Sequence, residues 1–200
     1  MTSTVEGVVL AAGYSSRAGL YKMELNFDGK TMLERSIESL YELCSRVIVV
    51  GGYKIDQVGE LVSKYERAVL LYNEDYHHGM FSSVKRGLAA TTAEHILFTD
   101  GDYPLINKKT CQVLLNSDGQ IVIPVWQGRR GHPILLRRNS IDEILQEPED
   151  SNLKAYIRRK IAAYVQVNDP GILIDVDILG EYYLAIMGKD QQLLEKKCGQ

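Results

Sequence analysis

Asp100 and Asp102 leave the end of an apolar run in TDGDYPLI, and a second acidic pair, Asp175 and Asp177, stands in IDVD much later in the chain. Carboxylate oxygens held at a strand end suit Mg2+, a hard cation often bound by one or two carboxylates together with substrate phosphates. Pro104 restricts the residue before it and so stiffens the first of these loops. The plainer alternative is a solvated acidic turn with Asx-type hydrogen bonds. In an extended IDVD the two acidic side chains point to opposite faces, so one can face a cleft while the other caps the following helix.

The complementary charge comes from VVLAAGYSSRAGLYK, Val8 to Lys22. Val8, Val9 and Leu10 form an unbroken apolar run that suits a strand covered on both faces. Ala11, Ala12 and Gly13 then remove side-chain bulk, so the backbone can approach a flat or charged ligand closely. Ser15 and Ser16 add hydroxyls, and Arg17 and Lys22 add positive charge. Exposed N–H groups, hydroxyls and cations after a strand make an anion-binding device. Two known phosphate loops do not fit: only Gly13 and Gly19 are present for a dinucleotide fingerprint, and Lys22 is misplaced for a P-loop.

Two further stretches join these. In NEDYHHGMFSSVKRGL, Gly79 and Met80 precede Ser82 and Ser83, which either cap a helix or offer hydroxyls to a base or ribose. In GRRGHP, His132 is either a satisfied core histidine or a contact to a second substrate, and Arg129 and Arg130 either bind a phosphate or belong to a solvated turn.

The elements that must position these residues follow from periodicity. Helical spacing is expected from Thr31 to Cys44, with Thr31 and Glu34 in a capping-box pattern. Strands are expected at Arg46–Val50, Ala68–Tyr72 and His95–Thr99, separated by helical segments, which implies a parallel sheet wrapped by helices. Beyond about residue 100 the pattern mixes. Strands at Ile121–Val125 and His132–Leu136 flank a hairpin-like QGRRG, and Ser140 with Glu143 reads as a second capping box. Ser151 is expected to cap a short helix to Arg159, with short strands at Tyr164–Val167 and Ile172–Ile174 and a final helix at Ile178–Met187. The expected fold is α/β: one Rossmann-like three-layer α/β/α domain over residues 1–188, its sheet mostly parallel and mixed in the C-terminal half, then a polar tail. Ligands of such sheets bind outside the carboxyl ends of the strands, which puts the loops after Leu10, Tyr72, Thr99 and Ile174 on one rim.

Composition narrows the class. The 200 residues are 45% apolar and 24% charged, as in a globular protein, and a net charge of −3 leaves no global basic field for nucleic acid. No apolar run reaches membrane-spanning length, and MTSTVEG lacks the basic and apolar regions of a signal peptide. Cys44, Cys111 and Cys198 are odd in number and dispersed, which fits free thiols and a cytoplasmic location.

Taken in order, these motifs resemble the MobA-like nucleotidyltransferases over most of the chain. LAAGYSSRAGLYK resembles the family's nucleotide loop, NEDYHHGMFSSVKRGL its G-M-x-S-S segment, DGDYP its G-D-x-P metal motif, and IDVD the start of its last acidic motif. GRRGHP is similar to the G-x-x-G-H-P of the molybdenum cofactor cytidylyltransferase branch. The resemblance implies a fold of the nucleotide-diphospho-sugar transferase type and transfer of an NMP group, from CTP or another NTP, to a phosphorylated acceptor. Molybdopterin is the leading acceptor, and a cofactor-receiving enzyme is a possible partner.

By the same resemblance Leu10, Ala11, Ala12, Gly13, Ser15, Gly79, Ser82 and Ser83 surround the nucleotide, and Arg17 and Lys22 hold its triphosphate. Asp102, with Asp175 or Asp177, holds Mg2+, and Arg130, Gly131 and His132 meet the acceptor. LAAG, with Ala12, is like the pyrimidine-using members, whereas the guanosine-using branch usually has LAGG. The chain departs from the pattern at Ala18 and at Ile178-Leu179-Gly180. Cytidylyl or uridylyl transfer to a sugar or polyol phosphate, and a non-catalytic nucleotide-binding module, are the competing expectations.

Overall fold

Strand β1, Val5–Ala11, is buried from Glu6 onward and lies inside the sheet with parallel neighbours on both sides. The computed structural model describes residues 4–14, 21–27 and 29–175. Ser15, Ser16, Arg17, Asp177, the expected final helix and the tail lie outside the described residues.

After β1 come a 3-10 turn at Lys22–Glu24 and a small ribbon of β2, Asn26–Phe27, and β3, Lys30–Thr31. Helix α1, Met32–Tyr41, starts at Thr31 with the expected capping box. Then follow β4, Arg46–Gly51; α2, Ile55–Val62; β5, Ala68–Tyr72; α3, Met80–Ala89; β6, His95–Asp100; and α4, Lys108–Leu115. The second half adds β7, Ile121–Trp126; β8, Arg129–Arg130; β9, Ile134–Arg137; α5, Arg138–Gln146; α6, Leu153–Arg158; and β10, Ala163–Gln166.

The main sheet runs β10-β7-β9-β6-β1-β4-β5, with β8 paired to β7. Within that row, β9 alone runs against its neighbours β6 and β7. Alternation along the strands sends Val9, Val49 and Leu97 to one face, under α1, α2 and α4. Val8, Leu10, Ile48, Val50 and Phe98 go to the other, under α3, α5 and α6. The two apolar layers make the expected three-layer α/β/α arrangement.

Four local expectations are corrected. Ser140 does not cap α5: β9 runs directly into a helix that begins at Arg138, and the Ser140 hydroxyl lies within its first turn, 2.7 Å from the Arg137 carbonyl and 3.1 Å from that of Gln120. Asn152, not Ser151, caps α6, while Ser151 donates to Glu147. Gly79 precedes α3, so Ser82 and Ser83 sit inside its first turn rather than at its cap. Pro170–Leu173 is a 3-10 turn rather than the start of a strand, because Asp169 accepts from the Gly171 N–H and sets the turn.

One ion pair ties the amino end of the sheet together. Glu6 is opposite Arg46 in the β1–β4 register and accepts from its Nε at 2.9 Å and Nη2 at 2.6 Å. The same buried carboxylate accepts from the backbone N–H groups of Thr92 and Ala93 just before β6. Burial alone would raise the Glu6 pKa, but these N–H groups and Arg46 outweigh it and hold the group below its ordinary value.

Glu6→Gln is therefore expected to cost about 2–3 kcal/mol in urea unfolding at pH 7, since several donors lose a charged acceptor. A carboxylate held low contributes stability above the unfolded value of about 4.3, and that contribution fades as pH falls through the folded value. The gap between wild type and variant should shrink as pH is lowered below about 4; a gap that stays constant into acid would contradict the assignment.

Candidate active site

The chain leaves β1 to form β4 on one side and later returns to form β6 on the other, so the carboxyl ends of β1 and β6 make a topological switch point. Leu10 is in register with Asp100, and the Gly101 N–H donates to the Leu10 carbonyl at 2.8 Å. A Cβ at Gly101 would stand 2.8 Å from that carbonyl oxygen and 3.0 Å from Met23 Sδ, so a side chain there would push the two loops apart. The first and third loops are thus joined at their bases by backbone.

The β4 end closes the other flank of the first loop. Tyr53 N–H donates to the Ala12 carbonyl at 3.2 Å, and the Ala12 methyl packs toward Gly52, where no Cβ would fit beneath Tyr76. Buried Tyr21 lies within hydrogen-bonding distance of the Tyr53 carbonyl, 3.2 Å, and the Ala11 carbonyl, 3.4 Å, and burial pushes its phenol well above the usual range. This tyrosine sets the backbone immediately before Lys22.

Lys22 comes near Asp102, and its charge favours the ionised carboxylate. Three stronger influences oppose it. Burial, then the charge of Asp100, then that of Asp175, push the Asp102 pKa up to about 6. The third loop and the segment after Pro170–Leu173, at Asp175, therefore converge on one rim. One oxygen each of Asp100 and Asp102, Oδ1 in both, is buried with no hydrogen-bond partner among the described residues.

One close backbone crossing, at Ile172, carries GRRGHP to the same rim. Gln127 and Gly128 both have positive φ and turn β7 into β8. The His132 N–H donates to the Ile172 carbonyl at 3.0 Å, and a Cβ at Gly131 would stand 2.2 Å from that oxygen. The His132 ring lies against Tyr103, with centroids 4.6 Å apart. Its Nε2 is 3.9 Å from Asp100 Oδ2, too far for a direct hydrogen bond, and its Nδ1 is buried without a partner among the described residues. Arg130 does not enter an ion pair among the described residues; its guanidinium stacks 4.3 Å from the Tyr164 ring centroid.

A cleft of about 550 Å3 opens beside Asp100 and His132. Its floor includes Phe81, Val84, Phe98 and Ile157, and Arg130, Lys154 and Arg158 stand at its rim. The second loop borders it through Met80 and is organised by Asn73, the first residue of NEDYHHGMFSSVKRGL, which the sequence left without a specific role. Buried Asn73 donates from Nδ2 to the hydroxyls of both Ser82 and Ser83, at 2.9 Å each, and accepts from the Asp75 N–H. Ser83 is buried in this network, so its hydroxyl holds the loop instead of facing the cleft. Gly79 is exposed, with a φ of 106° that favours glycine. Tyr103, which follows Asp102 in DGDYP, had no functional assignment from the sequence, whereas Asp100 was expected beside Asp102 as a carboxylate suited to Mg2+.

The mostly parallel sheet and its flanking helices are those of the nucleotide-diphospho-sugar transferase fold. A nucleotidyl transferase from Methanothermobacter thermautotroptrophicus superposes with a TM-score of 0.77 at 20% identity, covering 96% of this chain and 99% of that one. Residues 7–166 match the family model for the MobA-like NTP transferase domain, and the chain belongs to that family. It is 30% identical over 185 residues to the molybdenum cofactor cytidylyltransferase of Escherichia coli, covering 92% of this chain and 96% of the relative. It is also 24% identical to a probable molybdenum cofactor guanylyltransferase of Methanosarcina acetivorans, covering 84% and 80%. The protein is a nucleotidyltransferase. No helix among the described residues is long and apolar enough to cross a membrane.

Replacing Asp100 by Asn removes a like charge beside Asp102. The Asp102 titration midpoint, about 6 in the wild type, should then move down when followed by carboxylate carbon NMR of the ligand-free protein. A midpoint that stays in place would show that Asp100 is not one of the groups raising it.

Proposed function

We propose that this nucleotidyltransferase moves CMP from CTP to the phosphate of molybdopterin, or of its molybdenum-bearing form, with release of pyrophosphate. The observation that carries the reading is the meeting of Lys22 with three carboxylates at the β1–β6 switch point, in a chain whose 30%-identical relative is a cytidylyltransferase. That cationic and acidic groups share one rim is what a metal–triphosphate ligand needs.

Mg2+ fits the donor set. The unpartnered Oδ1 atoms of Asp100 and Asp102 and the raised Asp102 pKa describe acidic oxygens crowded together with too little positive charge. No group of three His, Cys, Asp or Glu side chains among the described residues forms a ready cage. Mg2+ does not require one, because substrate phosphates and water complete its octahedron. Asp102 and Asp175 are the residues proposed to hold it, with Asp177 the further candidate from the sequence. Bound there, a divalent cation would neutralise charge on the phosphate oxygens and the departing pyrophosphate.

In the reaction, an acceptor phosphate oxygen forms a bond to the α-phosphorus while the bond from that phosphorus to the bridging oxygen of the β-phosphate breaks. The electron pair leaves with pyrophosphate. An ionised phosphate needs no strong general base, so the chain acts by positioning and charge stabilisation. Lys22, with Arg17, faces the triphosphate charge. Leu10 to Gly13 offer a backbone with little bulk to the base and ribose, with Ser15, Gly79 and Ser82 adding polar contacts and Ser83 acting through Asn73. Arg130, Gly131 and His132 stand on the acceptor side. Since the Ala12 methyl packs toward Gly52, its effect on base choice would run through the position of the strand-end backbone rather than through an open contact.

Lys22→Ala and Asp102→Ala should each lower kcat by about two orders of magnitude, in line with the loss of single electrostatic stabilisers; near-normal turnover in both would refute their roles. In a thermal-shift screen with Mg2+, CTP should stabilise the protein more than GTP, UTP or ATP, by mass action on the folded state. Stabilisation by GTP alone would overturn the base assignment. Pyrophosphate release with molybdopterin and CTP tests the whole reaction, and binding without release from any acceptor would favour a module that only holds nucleotide.

A further inference from the structure

The 550 Å3 cleft is far larger than a phosphate requires and falls within the range of pockets that enclose whole organic ligands. Its position beside Asp100 and His132 makes it the continuation of the reaction site toward α6. Two observations say what should fill it. The floor is built from apolar side chains such as Val84, Phe98 and Ile157, which would strip water from a polyol without returning hydrogen bonds. The rim is cationic, and the cations are sorted. On and just after α6, Arg159 is paired with Glu147 and Lys160 with Glu143, both on the side toward α5. Lys154 and Arg158, one helical turn apart and lining the cleft, have no ion-pair partner among the described residues. Arg130, across from them on β8, is held by its stack on Tyr164.

We infer that α6 reads the acceptor: the apolar floor takes a flat ring system, and Lys154 and Arg158 take an anionic group other than the phosphate that reacts. The inference rests on the nucleotidyl-transfer reading for its orientation. The reacting phosphate belongs at the acidic, metal-competent end, so cations at the far end of the same cleft serve a second negative centre. The acceptor class is then a phosphorylated molecule with a flat ring body, whose face can lie on the apolar floor, and further negative charge; a sugar or polyol phosphate fits poorly. Opposite charges at the two ends also give the cleft a direction, which would present the acceptor phosphate to the nucleotide.

The test compares the wild type with the Lys154→Ala/Arg158→Ala double variant, both substitutions being on exposed side chains. Two fluorescent probes separate the contributions: anilinonaphthalene sulfonate, which has a ring body and one anionic group, and the uncharged phenylnaphthylamine. The double variant should keep the wild-type melting temperature, bind the sulfonate about tenfold more weakly or worse, and bind the neutral probe as before, since charge-assisted contacts of this kind contribute at least that factor. With CTP, Mg2+ and molybdopterin, KM for the acceptor should rise by a similar factor while KM for CTP stays the same. Unchanged affinity for the sulfonate, equal loss of both probes, or a parallel rise in KM for CTP would overturn the inference. If the wild type releases no pyrophosphate from CTP when molybdopterin is the acceptor, that reaction is refuted, and the probe comparison still decides what α6 recognises.

Discussion

The site depends on two parallel strands ending at the same level and parting in opposite directions. Strand β1 pairs with β4 on one side and β6 on the other, and the Gly101 N–H joins its loop to the end of β1 through the Leu10 carbonyl. Because neighbouring strands lie roughly 5 Å apart, groups in the two loops are brought within strong Coulombic range without any dedicated contact between their side chains. The Glu6 cluster holds the other end of the same strands, where its carboxylate gathers donors from β4 and from the residues before β6. One end of the sheet is neutralised and hydrogen-bonded; the opposite end is left with crowded charge.

That contrast has a functional sense. Glu6 is buried with enough donors to stay ionised, whereas Asp102 is half-buried beside two like charges that Lys22 and a backbone hydrogen bond offset incompletely. The first arrangement stabilises the fold by itself. The second is relieved by bringing in positive charge, which is what a site for a metal–nucleotide complex should do. The same economy appears around the cleft, where cations facing α5 are paired and those facing the cleft have no ion-pair partner among the described residues.

Sequence patterns succeeded where their partners are close in the chain and failed where they are distant. Thr31 and Glu34 satisfy each other across three residues, and the capping box forms as expected. Ser140 and Glu143 show the same spacing, but the serine hydroxyl is engaged by Arg137 and Gln120, the latter 20 residues away. The apolar run Ile172–Ile174 suggested a strand, yet Asp169 tightens the preceding Pro-Gly into a turn, and Leu105 presses on Gly171 so closely that a Cβ would stand 2.0 Å from its carbonyl oxygen. Asn73 opens the NEDYHHGMFSSVKRGL motif, but a single asparagine after a strand has no spacing to assign its role; its two serine partners reveal it.

By itself the sequence determined the alternation of strands and helices, the mostly parallel sheet and the set of loops that share a rim, because hydrophobic period and turn chemistry are properties of neighbouring residues. It also displayed the acidic and basic residues of the site in their motifs. Only the tertiary structure decided which of them face one another: that Asp100 and Asp175 press on Asp102, that Ser83 turns inward, and that Lys154 and Arg158 stand over an apolar floor. The physical reason is that charge and burial depend on distance through space. Residues far apart in the chain acquire a common environment only when the strands that carry them have been placed side by side.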